Sequence, residues 1–214
     1  MCIFPNINFV NQIPPLPRPE DRMPSRVQSM ITLLNRININ PDINGLTNIN
    51  QLEARIIQRI NEVDERLPGD QLVNIFHLIQ IWGGSSGRSI YVRNGGFANN
   101  FDIKSYISLV HSCININSTP NDIYNETTNF NARNNCIGVS FITKHIRFWS
   151  MKVFHDNALP IYDNFMARNV MQQRSANFAD LLSYWEGMTQ KAIELRISIS
   201  ALERQLFIYF QNNN

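Results

Sequence analysis

Cysteine is scarce in this chain and unpatterned. Cys2, Cys113 and Cys136 are the only three, and none stands in a CxxC spacing. An odd set without a framework suits a reducing cytoplasm, where the protein is expected to reside, rather than a disulfide scaffold. The four histidines are scattered and form no HExxH pattern, so no metal site and no cofactor is expected. Long apolar runs are missing too: none reaches the roughly 18 residues of a membrane span. The start, "MCIFPNINFV", lacks a basic n-region, so no signal peptide is expected. Charge of one sign is also lacking, with 19 Lys and Arg against 17 Asp and Glu, a net +2. That balance neither demands nor excludes nucleic acid, and any basic patch must be local. No strand-like alternation and no internal repeat is found. "GGSSG" has neither the GxxxxGK[ST] frame of a phosphate loop nor the GxSxG frame that would make Ser85 or Ser86 a nucleophile.

What remains is a chain of 214 residues, 43% hydrophobic, able to bury a substantial core. Residues 1–23, which run through "NQIPPLPRPEDRMP", form an extended arm lying on the domain, because their prolines prevent a helix. Residues 24–214 read as a single all-α domain of two interleaved helical subdomains with a cleft between them. Val27, Met30, Ile31 and Leu34 repeat at helical spacing, as do Leu52, Ile56, Ile60 and Val63. "GDQLVNIFHLIQIW" predicts a core-crossing helix. Six of the nine glycines are Gly69, Gly83, Gly84, Gly87, Gly95 and Gly96, which predicts a loop after Trp82, with an extended piece at Ser89 to Val92. Asp102 is a candidate N-cap, Pro120 opens a short helix, and Gly138 to Val153, Asp163 to Gln172 and "SANFADLLSYWEGMTQKAIELRISISALERQLFIYF" supply the rest. The class is mainly α, with roughly eight or more helices.

Two residues carry chemical interest. On the helix of "SFITKHIRFWSMKVF", Ile142, Ile146, Trp149 and Val153 form the core stripe, and Lys144, Phe148 and Met151 lie beside it. A lysine there either snorkels to water or has its ammonium partly desolvated, which lowers its pKa and makes it a nucleophile. Asp163, in "ALPIYDNFMARNVM", precedes an apolar run and suits a helix N-cap. One of its oxygens can cap while the other faces a cleft.

"CIGVSFITKHIRFW" followed by "LPIYD" resembles the helix-hairpin-helix DNA glycosylases, the 8-oxoguanine DNA glycosylase branch in particular. Those enzymes carry a lysine on the second helix of the hairpin, then a Pro-led turn and an aspartate capping the next helix. Their spacing is similar to the nineteen residues from Lys144 to Asp163 here. "IQIWGGSSGR" and "LERQLFIYF" are similar to segments of prokaryotic proteins with that fold, and the likeness in organisation covers most of residues 70–210. The family hairpin has two glycines that hold a DNA phosphate; here Gly138 remains and Ser140 stands near the second. No iron–sulfur cluster of cysteines is present, so the resemblance is not to the endonuclease III branch.

The resemblance implies a compact multi-helix glycosylase fold with a degenerate hairpin, acting on double-stranded DNA that carries a modified base, as a monomer. Asp163 would stabilise the oxocarbenium-like sugar, and Lys144 would attack the anomeric carbon to form a Schiff base. A flipped base needs aromatic faces, for which Trp82 and Phe148 are the candidates. Contacts to DNA fall to Gly83, Gly84, Arg88, Arg93, Gly138, Arg147, Lys152 and Arg168, with His145 and Arg174 adding positive charge. The base excised would be 8-oxoguanine or a hypermodified base of phage DNA, in repair or in antiphage defence. The rival reading is a non-catalytic helical module for DNA binding or protein interaction that retains the fold.

Overall fold

The computed structural model describes residues 1–14, 23–64, 66–134 and 136–213. The prolines at 15, 17 and 19, on which the expectation of an extended arm rests, lie outside the described residues. Residues 1–14 have no regular structure and run across the C-terminal helices. Ile3 N–H donates to Val170 O (2.7 Å), Val10 exchanges bonds with the Gln205 amide, and Asn11 accepts from Ser198 N–H (3.0 Å).

Eleven α-helices occur among the described residues, and no strand. They are α1 (Ser25–Arg36), α2 (Ile49–Glu62), α3 (Gly69–Gly83), α4 (Ser89–Val92), α5 (Phe97–Asn100), α6 (Ile103–Ile114), α7 (Pro120–Arg133), α8 (Val139–Phe154), α9 (Asn164–Asn169), α10 (Phe178–Leu195) and α11 (Ile199–Asn213). Short 3₁₀ turns cover Ser85–Arg88 and His155–Asn157. The helix starts follow local chemistry. Asn48, Asp102, Thr119, Asp163 and Asn177 accept from backbone N–H groups of the helices they precede, and Thr119 with Asp122 forms a reciprocal capping box. The segment Ser89–Val92 is a helical turn, not the extended piece that the glycine-rich composition predicts. The Asn100 amide gathers it by donating to Ile90 O (3.1 Å), Arg93 O (2.6 Å) and Gly96 O (3.0 Å).

Helix α8 is the hub, packing on α2, α3 and α6, while α7 joins α6 to α10. Its buried residues include Phe141, Ile142, Ile146, Phe148 and Trp149. His145 belongs with them. It is almost fully buried, stacks on Phe76 at 4.5 Å between ring centroids, and bridges Tyr106 (2.9 Å) and the Gln80 amide (3.1 Å). Burial pushes its pKa down to about 3, so it is neutral at physiological pH and adds no positive charge at a DNA surface, contrary to the expectation from sequence. The Tyr106 hydroxyl also accepts from Trp149 Nε1 (2.9 Å), so one phenol joins α6 to two residues of α8.

Removing that hydroxyl leaves Trp149 Nε1 without its acceptor in the dry core. Tyr106→Phe is expected to cost about 1–3 kcal/mol, read as a lower urea midpoint with an unchanged slope.

Candidate active site

The lysine and the aspartate are brought together by the residues next to them. Thr143, immediately before Lys144, uses its hydroxyl on both backbone groups of Tyr162, immediately before Asp163. Its Oγ1 accepts from Tyr162 N–H (3.1 Å), and its one proton is shared between Ser140 O (3.3 Å) and Tyr162 O (3.4 Å). This exchange fixes the register between α8 and the segment leading into α9.

The same segment, Ala158 to Tyr162, is fastened from three helices. Arg147 on α8 donates to Ala158 O (2.9 Å). From α10, Trp185 Nε1 donates to Pro160 O (3.0 Å) and the Tyr184 hydroxyl to Ile161 O (3.1 Å). Glu203 on α11 accepts from Ile161 N–H (2.7 Å). Pro160 has no N–H to satisfy, and side chains take up the bonding groups that the irregular backbone leaves over. Burial, reinforced by the nearby Asp163 charge, raises the pKa of Glu203, while Arg147 opposes that rise. Thr143, Tyr184, Trp185 and Glu203 escape a reading of the sequence because helical periodicity assigns each of them to core or solvated face.

Asp163 is the N-cap of α9. Its Oδ1 accepts from Phe165 N–H and Met166 N–H, both at 3.0 Å. Among the described residues no hydrogen bond reaches Oδ2. The carboxylate is therefore held by one oxygen and offers the other. Helix α9 runs only from Asn164 to Asn169, shorter than the Asp163 to Gln172 expected.

Lys144 stands on the second turn of α8 and is partly buried. Its Nζ donates to Ser140 O (3.1 Å) and Ser140 Oγ (3.4 Å), and lies 4.3 Å from the centroid of the Phe141 ring. Desolvation lowers its pKa to about 8. The charge of Arg26 lowers it further, and that of Asp163 opposes the fall. At pH 8 the amine is thus about half neutral, unlike a solvated lysine near 10.4.

The glycine-rich turn contributes by contact with this amine's neighbour. A Cβ on Gly83 would fall 2.3 Å from the Phe141 ring, and one on Gly87 2.4 Å from it, so the turn closes directly on that ring. Gly84 has φ of +81° and lies buried under the stem of Arg26. These glycines pack; Gly83 and Gly84 were expected to touch DNA.

The remaining candidates divide. Trp82 and Phe148 meet edge to face at 5.1 Å, with Trp82 Nε1 donating to Glu53 (3.2 Å). Phe148 is 3% exposed and lines a cavity of about 240 Å³ with Ile57, Ile60, Asn61, Met151 and His155. A larger cavity of about 440 Å³ is lined by Ile123, Phe154, Leu159, Ile193 and Ile197; both cavities reach the C-terminal end of α8, and neither is lined by Lys144 or Asp163. Arg147 also bonds Ser200 Oγ (2.5 Å) and lies 3.9 Å from Glu203, while Lys152 bonds Ile60 O (3.0 Å) and Val63 O (3.1 Å) at the end of α2. Both are committed to the fold rather than presented to a ligand. Gly138 caps α8 with φ of −89°, and a Cβ added to it would meet nothing within 4 Å. Arg88, Arg93, Arg168 and Arg174 are exposed. No group of His, Cys, Asp and Glu able to hold a metal ion occurs among the described residues, and none of their helices is long and apolar enough to cross a membrane.

No family model, curated protein or solved structure matches this chain. The geometry of the site alone therefore carries the functional reading.

Because the folded pKa of Lys144 is depressed, the unfolded chain binds more protons between about pH 8 and the ordinary lysine value. Stability contributed by this residue should rise with pH across that window, and Lys144→Met should flatten the rise. A ¹³C-methyl lysine titration is expected to give a Lys144 midpoint near 8, with Asp163→Asn moving it lower.

Proposed function

We propose that this chain is a DNA glycosylase with lyase competence, built on the helix-hairpin-helix glycosylase fold, that excises a modified base from double-stranded DNA. The observation that carries the reading is a lysine amine whose pKa burial lowers to about 8 and which feels the charge of Asp163, a carboxylate that caps a helix with a single oxygen. In this reading the N-glycosidic bond breaks with its electron pair leaving on the base, which takes up a proton. Asp163 faces the positive charge that develops at the sugar. The neutral amine of Lys144 bonds to the anomeric carbon and gives up a proton; the C1′–O4′ bond then breaks, its electron pair and a proton going to O4′, and the opened sugar is left as a protonated Schiff base on Lys144. That species permits elimination of the 3′ phosphate.

In this reading Trp82 and Phe148, which pack edge to face, supply the aromatic faces for a flipped base, and Phe148 would have to be uncovered to receive it. The substrate is an oxidised purine or a hypermodified base of phage DNA, and the role is repair or antiphage defence accordingly. The rival reading, a non-catalytic DNA-binding or interaction module, draws on the engagement of Arg147 and Lys152 within the fold.

Incubation of duplexes carrying modified bases, phage genomic DNA included, with borohydride separates the two. A covalent adduct is expected, increasing as the pH rises towards about 8 and abolished in Lys144→Gln. Asp163→Asn should slow base release by about 10²–10³-fold. Release that survives Lys144→Gln and fails in Asp163→Asn identifies a monofunctional enzyme. No release from any such DNA rejects the catalytic reading.

A further inference from the structure

The site has a cation that its proposed chemistry does not use. Arg26 lies in the first turn of α1, outside every segment that carries the family resemblance, and is exposed. Its stem crosses Gly84: a Cβ built there would sit 3.0 Å from Arg26 Cγ and 3.1 Å from Cδ. Gly83, the preceding residue, closes on the Phe141 ring, and Lys144 Nζ lies over that same ring at 4.3 Å. The guanidinium and the amine are thus separated by one glycine turn and one aromatic ring, and the charge of Arg26 is felt at Lys144. Among the described residues no carboxylate pairs with Arg26 and no hydrogen bond of its side chain is found. Helix α1 packs on the Ser85–Arg88 turn, which ends in the exposed Arg88, so the second positive group of this edge belongs to the same packed unit.

An exposed arginine held by its stem, next to an amine and without an acidic partner, raises the cost of protonating that amine. An arriving anion relieves that cost. A planar guanidinium matches the paired oxygens of a phosphodiester. We propose that Arg26 is a phosphate-binding residue of this site, gripping the backbone of duplex DNA next to the nucleotide presented to Lys144. The proposal deepens the glycosylase reading by assigning a backbone contact to the first helix, and it rests on that reading only for the identity of the presented nucleotide.

The test is fluorescence anisotropy with a labelled duplex bearing a tetrahydrofuran abasic analogue, titrated from about 50 to 200 mM potassium chloride. Arg26→Gln is expected to bind roughly tenfold more weakly at the middle of that range, with the slope of log K against log salt reduced by about 0.9. Arg26→Met, which keeps the apolar stem over Gly84, should show the same loss, and Arg26→Lys should restore the slope. Thermal unfolding of the variants should match the parent protein. Unchanged affinity and slope in both neutral variants overturns the proposal, as does failure of the parent protein to bind the duplex at all. If the parent binds with the Arg26-dependent slope yet releases no base and forms no borohydride adduct, the phosphate contact stands and the glycosylase reading falls.

Discussion

The arrangement depends on a single hydroxyl. Thr143 Oγ1 accepts from Tyr162 N–H (3.1 Å), and this bond ties α8 to the segment entering α9 at one register. A shift of one residue along α8 would turn Lys144 about 100° away from its present direction. The other fastenings of Ala158–Tyr162 supply stiffness. Arg147, Trp185, Tyr184 and Glu203 together take up four backbone groups of an irregular, largely buried stretch. These bonds hold the segment that leads to the Asp163 carboxylate in one place.

The dry interior behind the site has its own polar logic. Tyr106, His145, Trp149 and Gln80 form a connected set across α3, α6 and α8, with His77 bonded to Tyr91 nearby (2.8 Å). Both imidazoles are held neutral by burial, His77 near 4 and His145 near 3. Fixed hydrogen bonds of this kind specify how the helices meet, which apolar contact alone does less sharply. The same desolvation, weaker at the rim of the core, brings the Lys144 amine near neutrality.

Much of the scaffold was legible in the sequence because periodicity reports burial directly. Val27, Met30, Ile31 and Leu34 are the buried residues of α1, and Leu52, Ile56 and Ile60 those of α2. Asp102 and Asp163 read as caps for the reason they are caps: a short acceptor side chain just ahead of an apolar repeat. Long-range bonding was not legible. Lys152, Arg147 and His145 read as local positive charge, yet their partners lie far away in sequence: the end of α2 for Lys152, α11 for Arg147, and α3 and α6 for His145. The glycine-rich turn reads as a flexible loop with a strand-like piece, whereas close approach to Phe141 and the Asn100 amide make it a packed set of short turns. Arg26 gave no signal at all, since nothing in α1 indicates that it returns to the edge of α8.

The Phe141 ring meets both the glycine turn, at its Cε1 edge, and the Lys144 ammonium. Its ring is a shared wall, so the basicity of Lys144 depends on how tightly the Gly83–Gly87 turn shuts against it. A bulkier residue at Gly83 or Gly87 would push the ring aside, admit water to the amine and return it towards an ordinary, charged lysine. The turn thereby acts on the reactivity of a side chain it never touches.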